Sequence, residues 1–271
     1  MTDSHDNSRQ HRDPITEQKL APAIDAATVV IFRDTPLGQP PELLMVERSA
    51  KMAFAAGAAV FPGGRIDPED FTYAGKLGYR DDGGEGASRI AAIRETIEET
   101  GLAIGFIETP EEKALADARA QLHAGKSLQS ICTANGWHLD LEMMVPFARW
   151  RPSFAEARIF DTRFYLANAG AGRDRVLVDE TENRHLFWAS ASDVLHRADT
   201  GALKIIFPTR RNLERLAQFT SHDEAVSHAC TIPVRTITPY IEERGGTAHL
   251  CIPGGFGYPV TSEALRNAKR G

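Results

Sequence analysis

The stretch Arg94-Glu95-Thr96-Ile97-Glu98-Glu99-Thr100-Gly101-Leu102 places three carboxylates within five residues. Carboxylates at this spacing have two uses. They can be the solvated face of an ordinary helix, or oxygen ligands for a hard cation such as Mg²⁺, which prefers oxygen donors and keeps several waters. Ser88 and Gly101 bracket a helix, the first as an N-cap and the second where a left-handed C-cap is expected. At about 100° per residue, Ile90, Ile93 and Ile97 fall within about 60° of one another and mark its buried stripe. Glu95 and Glu99 lie one turn apart, with Glu98 about 60° from Glu95, and all three sit off that stripe. Like charges at i, i+4 cost roughly a few tenths of a kcal/mol, so the helix alone leaves both uses open.

The second clue lies upstream, in Phe61-Pro62-Gly63-Gly64-Arg65-Ile66-Asp67-Pro68-Glu69-Asp70, a strand that runs into a tight glycine turn and then into acidic residues. Together, loop and helix resemble the Nudix box, GX₅EX₇REUXEEXGU, where U is a bulky aliphatic residue. Arg94, Glu95, Glu98, Glu99, Gly101 and Leu102 are in register with its second half, and Thr96 stands at the first U. Two positions depart from the pattern. Asp70 occupies the place of the first glutamate, with Glu69 beside it, and 23 residues separate it from Arg94, an insertion of 16. A loop whose ends still meet lengthens at small entropic cost, so the departure suits a site built from a loop and a helix.

The resemblance implies an α/β fold, the Nudix α/β/α sandwich with a mixed sheet, to which this chain adds helical insertions and a C-terminal hairpin extension. It implies hydrolysis of nucleoside diphosphates linked to another group, with Mg²⁺ (or Mn²⁺) as cofactor. By the same resemblance Glu95 and Glu99 are the principal metal ligands, and Glu98 is a third ligand or the base that activates water. Arg94 orients the carboxylates, and Gly63 and Gly64 let the backbone turn. A metal in this setting neutralises diphosphate charge and lowers the pKa of the attacking water.

The substrate has to be sought outside the box. Arg48, Ser49, Gly57 and Phe61-Pro62-Gly63-Gly64 resemble the segment that precedes the box in coenzyme A diphosphatases, although Ala53 stands where that segment has a second arginine. Alanine cannot supply the bidentate phosphate contact of an arginine. The branch with an enlarged box insertion is closer still, through Trp150-Arg151-Pro152 and Phe160-Asp161-Thr162-Arg163-Phe164. The resemblance points to coenzyme A or acyl-coenzyme A, cleaved to adenosine 3′,5′-bisphosphate and 4′-phosphopantetheine. ADP-ribose or a dinucleotide is the alternative substrate, and a non-catalytic nucleotide-binding module the alternative class. Arg48, Ser49, Gly63, Gly64 and Trp150 are the candidate substrate contacts, while Trp150 and Phe160 read equally as core. Glu180 and Glu182 are a further candidate metal or base position, or a solvated loop. Arg210 and Arg211 open a helix, where they either meet a phosphate or face solvent.

The whole chain sets the frame for these residues. It has 271 residues, 42 % of them apolar and 25 % charged, with a formal net charge of −6. That is an ordinary globular composition, and its sign argues against a nucleic-acid or membrane-surface binder. The expected partner is a small nucleotide-diphosphate compound, with homodimerisation left open. Cys132, Cys230 and Cys251 are widely spaced and form no CxxC pair, as expected of isolated thiols in a reducing compartment. The polar start MTDSHDNSRQHRDP is unlike a signal peptide, and the expected location is the cytoplasm.

Residues 1–22 read as a flexible tail and 23–271 as one domain, with a box loop over 63–102 that includes a glycine-rich loop insertion at 71–87. Strands are expected at Ala27–Phe32, Glu42–Val46, Ala53–Pro62, Met144–Trp150, Phe160–Ala167 and His185–Trp188. Besides the carboxylate helix, helices are expected at Glu111–His123, Ser127–Ala134, Ser192–Ala198 and Thr209–Phe219, with a hairpin across Ile237–Ile252.

Overall fold

Strand β1 (Ala23–Arg33) is the axis of the main sheet, and its sequence shows why. Ala27, Val29 and Ile31 are buried in one hydrophobic cluster, and Val30 and Phe32 in a second. A strand covered on both faces needs an unbroken apolar run rather than alternation. The computed structural model describes residues 22–36, 38–48, 55, 57–152, 158–169 and 185–268. The expected tail therefore lies outside the described residues, apart from Pro22.

β2 (Glu42–Glu47), β3 (Ala59–Val60) and β4 (Gly63–Arg65) follow β1. Then come helices α1 (Pro68–Lys76), α2 (Glu85–Thr100), α3 (Glu112–His123) and α4 (Leu128–Asn135). β5 (Val145–Trp150), β6 (Ile159–Asn168) and β7 (His185–Ser190) return to the sheet. α5 (Ala191–Asp199), α6 (Phe207–Leu216) and α7 (His222–Cys230) form a second helical layer. The sheet order is β3-β2-β1-β6-β5-β8, where β8 is Thr236–Ile237, with β4 also on β1 and β7 on β2. β1 runs parallel to β6 and antiparallel to β2 and β4, so the sheet is mixed.

Helices α1 to α4 contribute to the first core cluster and α5 to α7 to the second, which makes an α/β/α sandwich. A separate three-stranded sheet joins β9 (Tyr240–Arg244), β10 (Thr247–Cys251) and β11 (Ser262–Ala264), ahead of the short α8 (Leu265–Ala268). Its first turn is Gly245-Gly246, both at positive φ, as a two-residue hairpin requires. The expected C-terminal hairpin is therefore present.

Three segments differ from the sequence reading. The stretch 71–87, expected as a loop, is helical at both ends, because α1 covers 68–76 and α2 begins at Glu85. Asp67 caps α1 through a reciprocal capping box with Asp70, and Pro68 fits the first turn. These signals lie upstream of the glycine-rich segment that dominated the reading. Of the strand expected over 53–62, the described residues show strand only at β3, and Ala53 lies outside them. Helix α7 was not expected: Ser221 caps it, its side chain accepting from the Glu224 amide, but only Ala225 and Ala229 are buried along it.

Candidate active site

Helix α2 carries the carboxylates and buries Ile90, Ile93 and Ile97 completely, as its stripe demands. Gly101 ends it in the left-handed conformation, its amide donating to the Ile97 carbonyl. Arg119 of α3 donates to the carbonyls of Glu98 and Glu99, at 2.8 and 3.3 Å, and so satisfies the last turn. A cation near a helix C-terminus is a recognised signal, but its origin on another helix hides it from local reading.

Arg94 is buried and bridges loop to helix. Its guanidinium donates to Asp70 at 3.0 and 3.3 Å, to the Arg65 carbonyl at 2.8 Å, and to Glu95 at 2.8 Å. A longer contact of 3.4 Å reaches Glu98. Asp70, which takes the place of a glutamate in the box pattern, is thus the buried partner of Arg94, whereas Glu69 is exposed. Burial pushes the Asp70 carboxyl up, and the Arg94 contact opposes the shift.

The glycine loop is pressed against α2. The Gly63 amide donates to Glu99 at 3.0 Å. A Cβ on Gly64 would stand 2.3 Å from the carboxylate carbon of Glu95, and one on Gly63 2.3 Å from the Ala27 carbonyl oxygen. Both positions therefore require glycine for close approach, and Gly63 also holds a φ of +155°.

Glu95, Glu99, Gly63, Gly64 and Arg48 line one cavity of about 410 Å³, together with Trp150, Phe160 and Thr209. Glu98 does not line it. It faces a smaller pocket beside Asp67, Asp70, Arg94 and Lys126, so the three glutamates are split between two sides of α2. Burial, with the charges of Glu99 and Glu98 added, raises Glu95 to about 8 against the pull of Arg94. Trp150 lines the cavity, and its indole N–H donates to the Tyr258 hydroxyl at 3.1 Å inside the core. Ser49, Glu180 and Glu182 lie outside the described residues. Arg210 and Arg211 turn to acids: Arg210 to Asp199, and Arg211 to Glu214 and Glu263. Thr209 and Tyr258 had no local signal, because their neighbours come from distant parts of the chain.

The NUDIX domain model matches residues 23–123. The solved NUDIX hydrolase from Alicyclobacillus acidocaldarius superposes with a TM-score of 0.66 at 28 % identity, covering 76 % of this chain and 96 % of that one. Residues 23–123 thus match the NUDIX domain, and the likeness to Nudix hydrolases supports an enzyme that cleaves diphosphates. A more particular likeness is to the acyl-coenzyme A diphosphatase NUDT19 of Gallus gallus, 25 % identical over 260 residues, which span 73 % of this chain and 68 % of that protein.

Nudix hydrolases generally use divalent metal ions. Among the described residues, no three His, Cys, Asp or Glu side chains converge as a ready cation cage. Arg94 draws on Glu95 and Glu98, and the Gly63 amide holds Glu99. The donor chemistry fits a hard cation all the same. Two clustered carboxylates stand at the cavity wall, and burial with like charge pushes one of them up, the setting in which a hard cation is favoured.

Proposed function

We propose that the chain hydrolyses the diphosphate bond of coenzyme A or an acyl-coenzyme A with a divalent metal, Mg²⁺ or Mn²⁺. The products are adenosine 3′,5′-bisphosphate and 4′-phosphopantetheine. The observation that carries the reaction class is the shared cavity in which Glu95 and Glu99 face Arg48 and an apolar wall. The likeness to an acyl-coenzyme A diphosphatase supports the substrate.

In this reading Glu95 and Glu99 hold the metal, which when bound offsets diphosphate charge and acidifies the attacking water. Arg94 keeps Glu95 oriented, and Glu98, on the far side of the helix, acts through Arg94 or as an outer ligand. Arg48 binds phosphate, and Trp150 with Phe160 forms a wall for the adenine or pantetheine portion. The Gly63-Gly64 turn lets the diphosphate approach the backbone. We further propose that residues 23–271 act as one domain in a cytoplasmic enzyme.

Turnover of coenzyme A, ADP-ribose, NADH and diadenosine compounds, measured with Mg²⁺, tests the substrate. Coenzyme A should have the highest kcat/KM; a higher value for ADP-ribose or a dinucleotide would transfer the assignment to that compound. Glu99→Gln should lower kcat by about 10²-fold or more while the protein stays folded. Full activity in that variant would remove Glu99 from the metal site.

A further inference from the structure

The first turn of α6 opens onto the cavity with its hydrogen-bond donors unused. Ile206, Pro208 and Thr209 line the wall there, and α6 is a ten-residue helix. Its N-cap is Ile206, whose side chain cannot accept a hydrogen bond. The first backbone bond into the turn runs from the Arg210 amide to the Ile206 carbonyl, so the amides of Phe207 and Thr209 have no acceptor among the described residues. Pro208 has no amide hydrogen.

Thr209 supplies a second, independent observation. Its residue is 3 % exposed, yet it lines the cavity, and its hydroxyl has no hydrogen-bond partner among the described residues. An unpartnered hydroxyl at a cavity wall takes its hydrogen bond from whatever occupies the cavity. The two arginines that follow are already committed, Arg210 to Asp199 and Arg211 to Glu214 and Glu263. The turn therefore offers donors and the positive end of a helix dipole, with no side-chain acceptor beside them. Glu95 and Glu99 form the acidic part of the same cavity, while Arg48, Arg65 and Arg158 supply positive charge to its wall, so the cavity admits an anion away from the two carboxylates.

We propose that the amide and hydroxyl of Thr209, at the first turn of α6, form a phosphate subsite for a phosphomonoester of the substrate, separate from the diphosphate that is cleaved. The inference rests on the proposed function for the identity of that group, the 3′-phosphate that coenzyme A carries and ADP-ribose lacks. Thr209 is then a specificity-determining residue.

Calorimetric titration of the full chain with adenosine 3′,5′-bisphosphate and with adenosine 5′-monophosphate tests this without turnover. The wild type should bind the bisphosphate more tightly. Thr209→Val should lose about tenfold in affinity for the bisphosphate and less than about twofold for the monophosphate, the scale of one hydrogen bond to a charged group. Thr209→Ser should restore the preference, and an unchanged unfolding midpoint in both variants excludes a folding defect. Equal loss for both nucleotides, no loss for either, or no binding of either by the wild type overturns the subsite. Failure of the coenzyme A reading shows separately, as turnover of ADP-ribose in preference to coenzyme A in the substrate panel.

Discussion

Two buried arginine clusters flank the cavity, and they are built on opposite terms. Arg94, on the α2 side, has acids on several sides: Asp70 at 3.0 Å, Glu95 at 2.8 Å and Glu98 at 3.4 Å. Its guanidinium is held well above its ordinary pKa by those partners, although burial alone would lower it. Arg215, on the α6 side, has no acid partner among the described residues. It donates to the Phe147 carbonyl at 3.0 Å and lies over the rings of Phe147 and Tyr258, at 3.9 and 5.4 Å. Burial lowers its pKa, and its Nε has no hydrogen-bond partner. The first cluster compensates charge with charge beside the chemistry. The second uses aromatic faces and one carbonyl to brace the wall that holds Trp150 and Tyr258.

The largest test of this contrast is to remove each charge while keeping volume. Arg94→Met should cost about 3–5 kcal/mol, because Asp70 and Glu95 are left as uncompensated buried acids. Arg215→Met should cost about 1 kcal/mol, since it loses one hydrogen bond and keeps its packing. Urea denaturation measures both, and equal losses would dissolve the distinction.

Gly64→Ala comes next, with its effect on activity. Its Cβ would meet the Glu95 carboxylate at 2.3 Å, and that side chain can move only by leaving Arg94. A fall in kcat of about 10²-fold is expected from a displacement of that kind. Unchanged kinetics would show that the loop yields instead.

On the α6 side, Tyr258→Phe removes the hydroxyl that accepts from Trp150 and donates to Asn212 at 2.7 Å. It should cost about 1–3 kcal/mol by leaving buried partners unsatisfied. Thermal unfolding reads this directly.

The smallest effect concerns Glu214, which burial raises to about 7 against the opposing charges of Arg211 and Arg210. In the folded protein it keeps its proton at a pH where the unfolded chain has lost it. Stability should therefore fall as pH rises from about 4.5 to 7 and level off above that. Glu214→Gln should flatten this slope, as judged by urea titrations at several pH values. An identical slope in the variant would remove Glu214 from the titration.

The legibility of the two sides differs for the same reason. On the α2 side, periodicity located the isoleucine stripe and Gly101 its end, and the register of the carboxylates with the glycine loop pointed to the reaction class. Sequence could not divide the glutamates, because 60° around a helix becomes a side only when a sheet covers one flank. Glu98 faces the Arg94 pocket, and Glu95 and Glu99 the cavity. On the α6 side, Arg210 and Arg211 drew attention to the helix start, yet both point to acids and Thr209 faces the cavity.

By itself the sequence determined the order of most strands and helices, the strand at Ala27–Phe32 and the set of acids available for a cation. These follow from short-range rules of period, capping and turn chemistry. Tertiary structure alone decided which acids share a cavity, that Asp70 partners Arg94 across 24 positions, that Trp150 and Thr209 line one cavity, and that Tyr258 holds Trp150 from the core. Those choices depend on how the two helical layers close over the mixed sheet, and no local pattern encodes that contact.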